Sequence, residues 1–189
     1  MNRSITIIII IGLLCLGAQA LAQNSDVTRA TLVGLPGVSV YVDSLAQHLV
    51  VRGMTEDVFR VEVERRLLES GVKLLNPAVD GAVPGNPVLY LGITTLFDEG
   101  IERCQYSIRL ELTQTVRLDR NPGFAAFNVP TWSVGGIGVY HVGWREAMVE
   151  DVLGFTEEFI EAFFTANPVL KPTPGDTAGS KGINGDAVD

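Results

Sequence analysis

Two histidines, His48 and His141, and two cysteines, Cys15 and Cys104, limit the chemistry this chain can build from imidazoles and thiols. A zinc or acid–base centre draws on neighbouring imidazoles and carboxylates, so the two histidines must meet in space, or one must work beside an acid. Neither belongs to an H-x-x-x-H pattern. His141 follows Tyr140 at the end of a strand-like stretch. An ordinary strand-end histidine is the simpler reading, and a hydrolase using His141 with an acidic partner is the sharper one. Trp132-Ser133-Val134-Gly135 lacks the glycine two places before the serine that a nucleophile elbow requires. Gly135-Gly136-Ile137-Gly138 is as glycine-rich as a phosphate cradle, but no Lys-Ser or Lys-Thr follows. Its flanks read as strand, whereas a phosphate loop opens a helix. It is a glycine-weakened strand. Asp98, Glu99 and Glu102 could surround a hard cation, but without the spacing of an EF-hand loop they read as a solvated hairpin tip. Cys104 has only Arg103 beside it, which suits a buried thiol better than a catalytic thiolate. Trp132 and Trp144, bracketing the glycines, read as core anchors. These residues assign no catalytic site, no cofactor and no metal.

Charge and targeting narrow the partners. The formal net charge is -8, which opposes attraction to nucleic acid or anionic lipid. The densest basic spot, Arg65-Arg66, is flanked by Glu62, Glu64 and Glu69 and reads as a solvated helix face. Arg3, the apolar run Ile5 to Leu16 and the small residues around Ala18 to Ala22 have the three parts of a secretory signal, with cleavage expected after Ala22. The run is shorter than the roughly 20 residues a spanning helix needs, so no integral span is expected in the mature chain, which would be periplasmic or secreted. An uncleaved anchor is the alternative. Leu14 precedes Cys15 where a lipoprotein signal would place a small residue, so Cys15 is read as part of the apolar run. Cleavage leaves Cys104 alone, and stability must then come from packing rather than a disulfide.

These considerations place one domain at residues 35–168, between a polar lead-in at 23–34 and a disordered tail at 169–189. Val38 to Val42 alternates as a half-buried strand, and 43–54 reads as loop. Thr55 is a helix N-cap with Glu56 and Asp57 in the first turn, and Gly71 stands just past the end. The helix between presents Phe59, Val63 and Leu67 on one face, with Val58, Val61 and Leu68 expected to widen that stripe toward the core. Val72 to Leu75 is a short strand candidate, and Val88 to Phe97 is rich in strand-forming residues. From Cys104 to Asp119 apolar residues (Tyr106, Ile108, Leu110, Leu112, Val116, Leu118) alternate with Arg109, Glu111, Thr113, Thr115 and Arg117. Gln114 breaks the apolar side, so it needs a partner at the sheet margin or a bulge that re-aims it. Asn121-Pro122-Gly123 reads as a turn and Trp132 to His141 as a strand. From Trp144 to Ala166 the period is helical, with Met148, Val152, Phe155, Phe159 and Phe163 in line, ending at Asn167-Pro168. The order β-α-(β)-β-β-β-α predicts an α+β two-layer sandwich: an antiparallel-rich sheet of about four to five strands with both helices on one face.

Leu35-Pro36-Gly37-Val38, the stretch VEVERRLLESGVKLL ending at Leu75, Thr131-Trp132-Ser133 with its glycines, and Phe159 to Pro168 resemble a family of exported bacterial proteins that carries no assigned activity. The resemblance spans the expected domain and implies its fold, with no function attached. The element order is also similar to periplasmic assembly-factor domains such as the N-terminal domain of TolB, an analogy of fold alone.

The expectation is thus a non-catalytic exported protein that binds another envelope protein, as an accessory or assembly factor, or associates with itself. The uncovered sheet face with Arg109, Glu111, Thr113, Thr115 and Arg117 would be the binding surface. A small-molecule or lipid carrier with a cavity between sheet and last helix is the alternative, and a hydrolase the second.

Overall fold

A computed structural model of the chain describes residues 25–172, apart from 81, 99, 102 and 141–143. The expected signal peptide, His141 and the tail from residue 173 lie outside the described residues.

Thr55 accepts a hydrogen bond from the Val58 amide at the start of a helix over Glu56–Glu69, and Gly71, at φ 87°, ends it. The left-handed φ there suits glycine. Phe59, Val63 and Leu67 are its buried stripe, while Val58, Val61 and Leu68, expected to widen it, are exposed on the flanks of a stripe only one residue wide per turn. The second long helix, Trp144–Ala166, buries Met148, Val152, Phe159 and Phe163 among others. In chain order the helices are α1 (Asp26–Arg29), α2 (Gln47–Val50), α3 (Glu56–Glu69), α4 (Pro77–Asp80) and α5 (Trp144–Ala166). The strands are β1 (Ser39–Val42), β2 (Val88–Asp98), β3 (Arg103–Leu118) and β4 (Asn121–Tyr140).

Among the described residues these strands form one mixed sheet in the order β1-β2-β3-β4. β2, β3 and β4 are an antiparallel meander, and β1 pairs parallel to β2 after a crossover that contains α3. The fold is therefore α+β, as the element order predicts. The short strand expected at 72–75 is reduced to one parallel bridge, Val38 to Leu74, along the outer edge of β1.

α5 lies over β3 and β4, and α3 over β1 and against α5. Between helices and sheet sits one continuous core containing Leu89, Leu91, Ile108, Leu110, Leu112, Trp132 and Phe159. The Trp132 and Phe159 rings meet edge to face at 5.3 Å, a preferred aromatic arrangement.

Glycines in β4 resolve one sequence puzzle. A Cβ at Gly138 would lie 2.3 Å from Tyr106 Cζ, and one at Gly135 would lie 2.3 Å from the Ile108 carbonyl oxygen. The Tyr106 ring crosses β4 over Gly138 and donates its hydroxyl to Asp151 of α5 at 2.7 Å. Close approach, not a phosphate, accounts for these glycines.

Four boundaries differ from the sequence reading. The lead-in is a helical turn: Ser25 and Thr28 form a capping box around α1, and Leu32, completely buried, joins the core. Asn167 secures it, its Oδ1 accepting from the Gly34 amide and its Nδ2 donating to the Leu32 and Phe163 carbonyls. The 43–54 stretch contains α2, with Leu49 in the core. β4 begins at Asn121, so Asn121-Pro122-Gly123 is strand and the turn lies at Asp119-Arg120. Beyond Pro168 a 3-10 turn over Pro168–Leu170 continues the domain, and Pro172 lies against Gly71.

Candidate functional site

The alternation of β3 sorts its side chains onto two faces. Cys104, Tyr106, Ile108, Leu110 and Leu112 are buried under the helices, while Ser107 and Arg109 are exposed on the other side. Register then assembles the open face in rows: Tyr41, Tyr90, Glu111 and Ser133 stand side by side across the four strands, and Gly92, Arg109 and Gly135 form the next row.

These rows border a depression of about 440 Å³ lined by Tyr41, Tyr90, Arg109, Glu111 and Thr113, with Val88 beneath and Asn128 and Pro130 of β4 at its side. Parallel pairing of β1 with β2 brings Tyr41 against Tyr90, their rings stacked at 5.7 Å and 20°. Asp43, just beyond β1, extends the ladder by donating its amide to the Leu91 carbonyl at 2.9 Å. Its carboxylate accepts from the Tyr90 hydroxyl at 2.5 Å and from the Ser44 amide at 2.8 Å. The Tyr90 hydroxyl, then the Ser44 amide, hold the Asp43 carboxyl below its ordinary range. The same bond, with some burial and the adjacent negative charge, pushes the Tyr90 phenol up to about 12. Arg109 Nε lies 3.1 Å from Glu111 Oε1; the arginine side chain is 62% exposed and the carboxylate 14%. Asn128 has φ 53°, a left-handed backbone that non-glycine residues rarely hold.

The five residues expected on the open face separate. Arg109 and Glu111 are paired at the depression. Thr113 also lines it but is 7% exposed, and its hydroxyl donates to the Val88 carbonyl, so it serves the sheet more than a partner. From Leu112 onward the β3–β4 register shifts three times. Thr115, half-buried, donates its amide to the Gly85 carbonyl, and Arg117 donates to the Pro122 carbonyl within the hairpin. Neither lines the depression. Gln114 satisfies both expectations for it: it lies at a register shift, and its amide nitrogen donates to Thr131 Oγ1 at 2.8 Å and to the Thr31 carbonyl.

Sequence reasoning missed Tyr41, Tyr90, Asp43 and Asn128. Tyr41 and Tyr90 do occupy the outward positions of their strands' alternation, which is the signal that could have found them. Elsewhere, His48 Nε2 is 2.9 Å from Thr95 Oγ1, with its ring stacked on Phe97 and its carbonyl accepting from Arg52. Among the described residues no acidic side chain bonds to its ring, which suits a structural histidine. Cys104 is completely buried, and burial pushes its thiol up, away from a reactive thiolate. Trp132 and Trp144 are both buried, as expected of core anchors. Of the acidic hairpin tip, Asp98 caps the Gly100 amide and lies 4.0 Å from Arg103; Glu99 and Glu102 are outside the described residues. Among the described residues no His, Cys, Asp and Glu side chains group as metal ligands, and no helix is long and apolar enough to cross a membrane.

In comparisons with known proteins, no protein-family model matches the chain and no curated protein is detectably similar to it.

Proposed function

We propose that this chain is a non-catalytic exported protein that binds another protein of the cell envelope through the open face of its sheet. The observation that carries the reading is the depression where Tyr41, Tyr90, Arg109 and Glu111 converge. Tyrosine and arginine are the residue types in which binding energy concentrates at protein interfaces, because each combines large contact area with directed hydrogen bonds. Tyr90 is held by Asp43 and Arg109 by Glu111. Side chains fixed in advance lose less rotamer freedom on binding. Export itself rests on the signal-like residues 1–22.

The carrier reading needs space between sheet and α5. Trp132, Phe159 and Phe163 fill it, each no more than 1% exposed, so the geometry favours a surface partner.

The test is in-cell crosslinking followed by affinity purification through the C-terminal tail, comparing the wild type with a variant in which Arg109, Glu111 and Arg117 are all alanine. A specific, near-stoichiometric envelope protein that disappears with the folded variant is the expected result. Undiminished recovery of that partner would remove the open face as the binding surface.

A further inference from the structure

The two edges of the sheet are built differently. β1 is four residues long, and Val38 just before it is paired on the outer side: Val38 donates to the Lys73 carbonyl, and Leu75 donates back to Val38. β4, at the other edge, is 20 residues long. The Thr31 hydroxyl reaches its outer side at the Thr131 carbonyl, and beyond that point no strand pairs with it among the described residues.

An open edge is a row of unpaired amides and carbonyls, and proteins ordinarily blunt such edges with lysines or other charges. β4 has none. Not one of its residues is Asp, Glu, Lys or Arg, in a chain whose net charge is -8. On its outward positions Ile137 is 83% exposed and Val139 54%.

We infer that β4 is a self-pairing edge: two copies of this chain join antiparallel along residues 133–139, merging their four-stranded sheets into one. Charge selects a second copy as the occupant. Two bodies of the same strong negative charge repel wherever their carboxylates face each other, and a charge-free strand laid against itself brings no like charges across the seam. A two-fold axis closes the assembly, since the same patch serves on both sides and each copy's β4 is used up in the seam. This inference uses other residues than the Tyr41–Tyr90 depression and stands or falls separately from the proposed function.

The experiment is sedimentation equilibrium of the purified protein across micromolar concentrations, for the wild type, Ile137→Lys and the control Val61→Lys, which alters an exposed valine on α3. The wild type and the control should show a dimer mass, and Ile137→Lys half of it. Thermal unfolding establishes that the variant is folded, and Val139→Lys serves in its place otherwise. A wild type that is monomeric throughout, or that elutes with a different polypeptide in place of its own copy, overturns the inference, as does a dimer indifferent to charge at both 137 and 139.

Discussion

The two faces of the sheet are made by the same strands and spend their residues in opposite ways. On the covered face, Leu89, Leu91, Leu110 and Leu112 are completely buried and pack against α3 and α5 without a polar atom among them. On the open face, the tyrosines, Arg109 and Glu111 are held to one another by hydrogen bonds and ring contact in reach of solvent. Removing a side chain should therefore cost folding on one face and recognition on the other.

The largest expected effect is on the covered face. Phe159→Ala leaves a cavity against Trp132 and should destabilise by about 3–5 kcal/mol, read from denaturant unfolding followed by tryptophan fluorescence. A loss below about 1 kcal/mol would mean the core collapses around the gap.

Gly138→Ala probes the crossing of Tyr106 and should cost about 1–3 kcal/mol, since the ring must shift to admit a methyl group. The shift also loosens Tyr106 from Asp151. The double variant Gly138→Ala with Tyr106→Leu should therefore be less destabilised than the sum of the single changes, and additive losses would count against the crossing as the cause.

Smaller again is Tyr90→Phe, which removes one hydrogen bond at the open face, worth about 1 kcal/mol. Its cost should depend on pH at both ends. Asp43 has a folded pKa below its unfolded one, so its contribution is present at neutral pH and is lost as the pH falls through the depressed value. Tyr90 is shifted the other way, and the stabilisation is lost as the pH rises from the ordinary tyrosine value of 10.0 to about 12. Absorbance of tyrosinate during alkaline titration should show one late phenol that is absent from the variant.

The smallest effect on stability belongs to Arg109→Ala with Glu111→Ala, within about 0.5 kcal/mol of the wild type because the pair is surface-exposed on the arginine side. On the proposed function, the same variant should no longer recover an envelope partner on crosslinking. A protein destabilised as much as Phe159→Ala would erase the distinction between the faces.

Local periodicity made much of this visible in the sequence. α3 and α5 declare themselves through apolar residues at helical spacing and through Thr55, Gly71 and Pro168, whose effects act over a few residues. β3 declares itself through strict alternation from Cys104 to Leu112. What stayed hidden depends on distant parts of the chain. Leu32 looks like part of a polar lead-in until Asn167, 135 positions away, grips its carbonyl. Tyr41 and Tyr90 meet only because β1 joins β2 in parallel, and a parallel register leaves no turn in the sequence to announce it. Asn121-Pro122-Gly123 has turn chemistry yet lies in an edge strand, the place in a sheet that tolerates proline.

That parallel join also sets an order of events. β2, β3 and β4 can zip through neighbouring hairpins, whereas β1 must close a loop containing α2, α3 and α4 before its first ladder bond forms, and loop-closure entropy is paid ahead of any contact it earns. We expect β1 to dock last and to detach first, carrying Tyr41 and Asp43 with it. In native-state hydrogen exchange, β1 amides should then exchange through an opening cheaper than global unfolding, while those at Leu110 and Leu112 wait for the whole domain to open. The surface proposed to bind a partner would thus be the last part of the molecule to be completed.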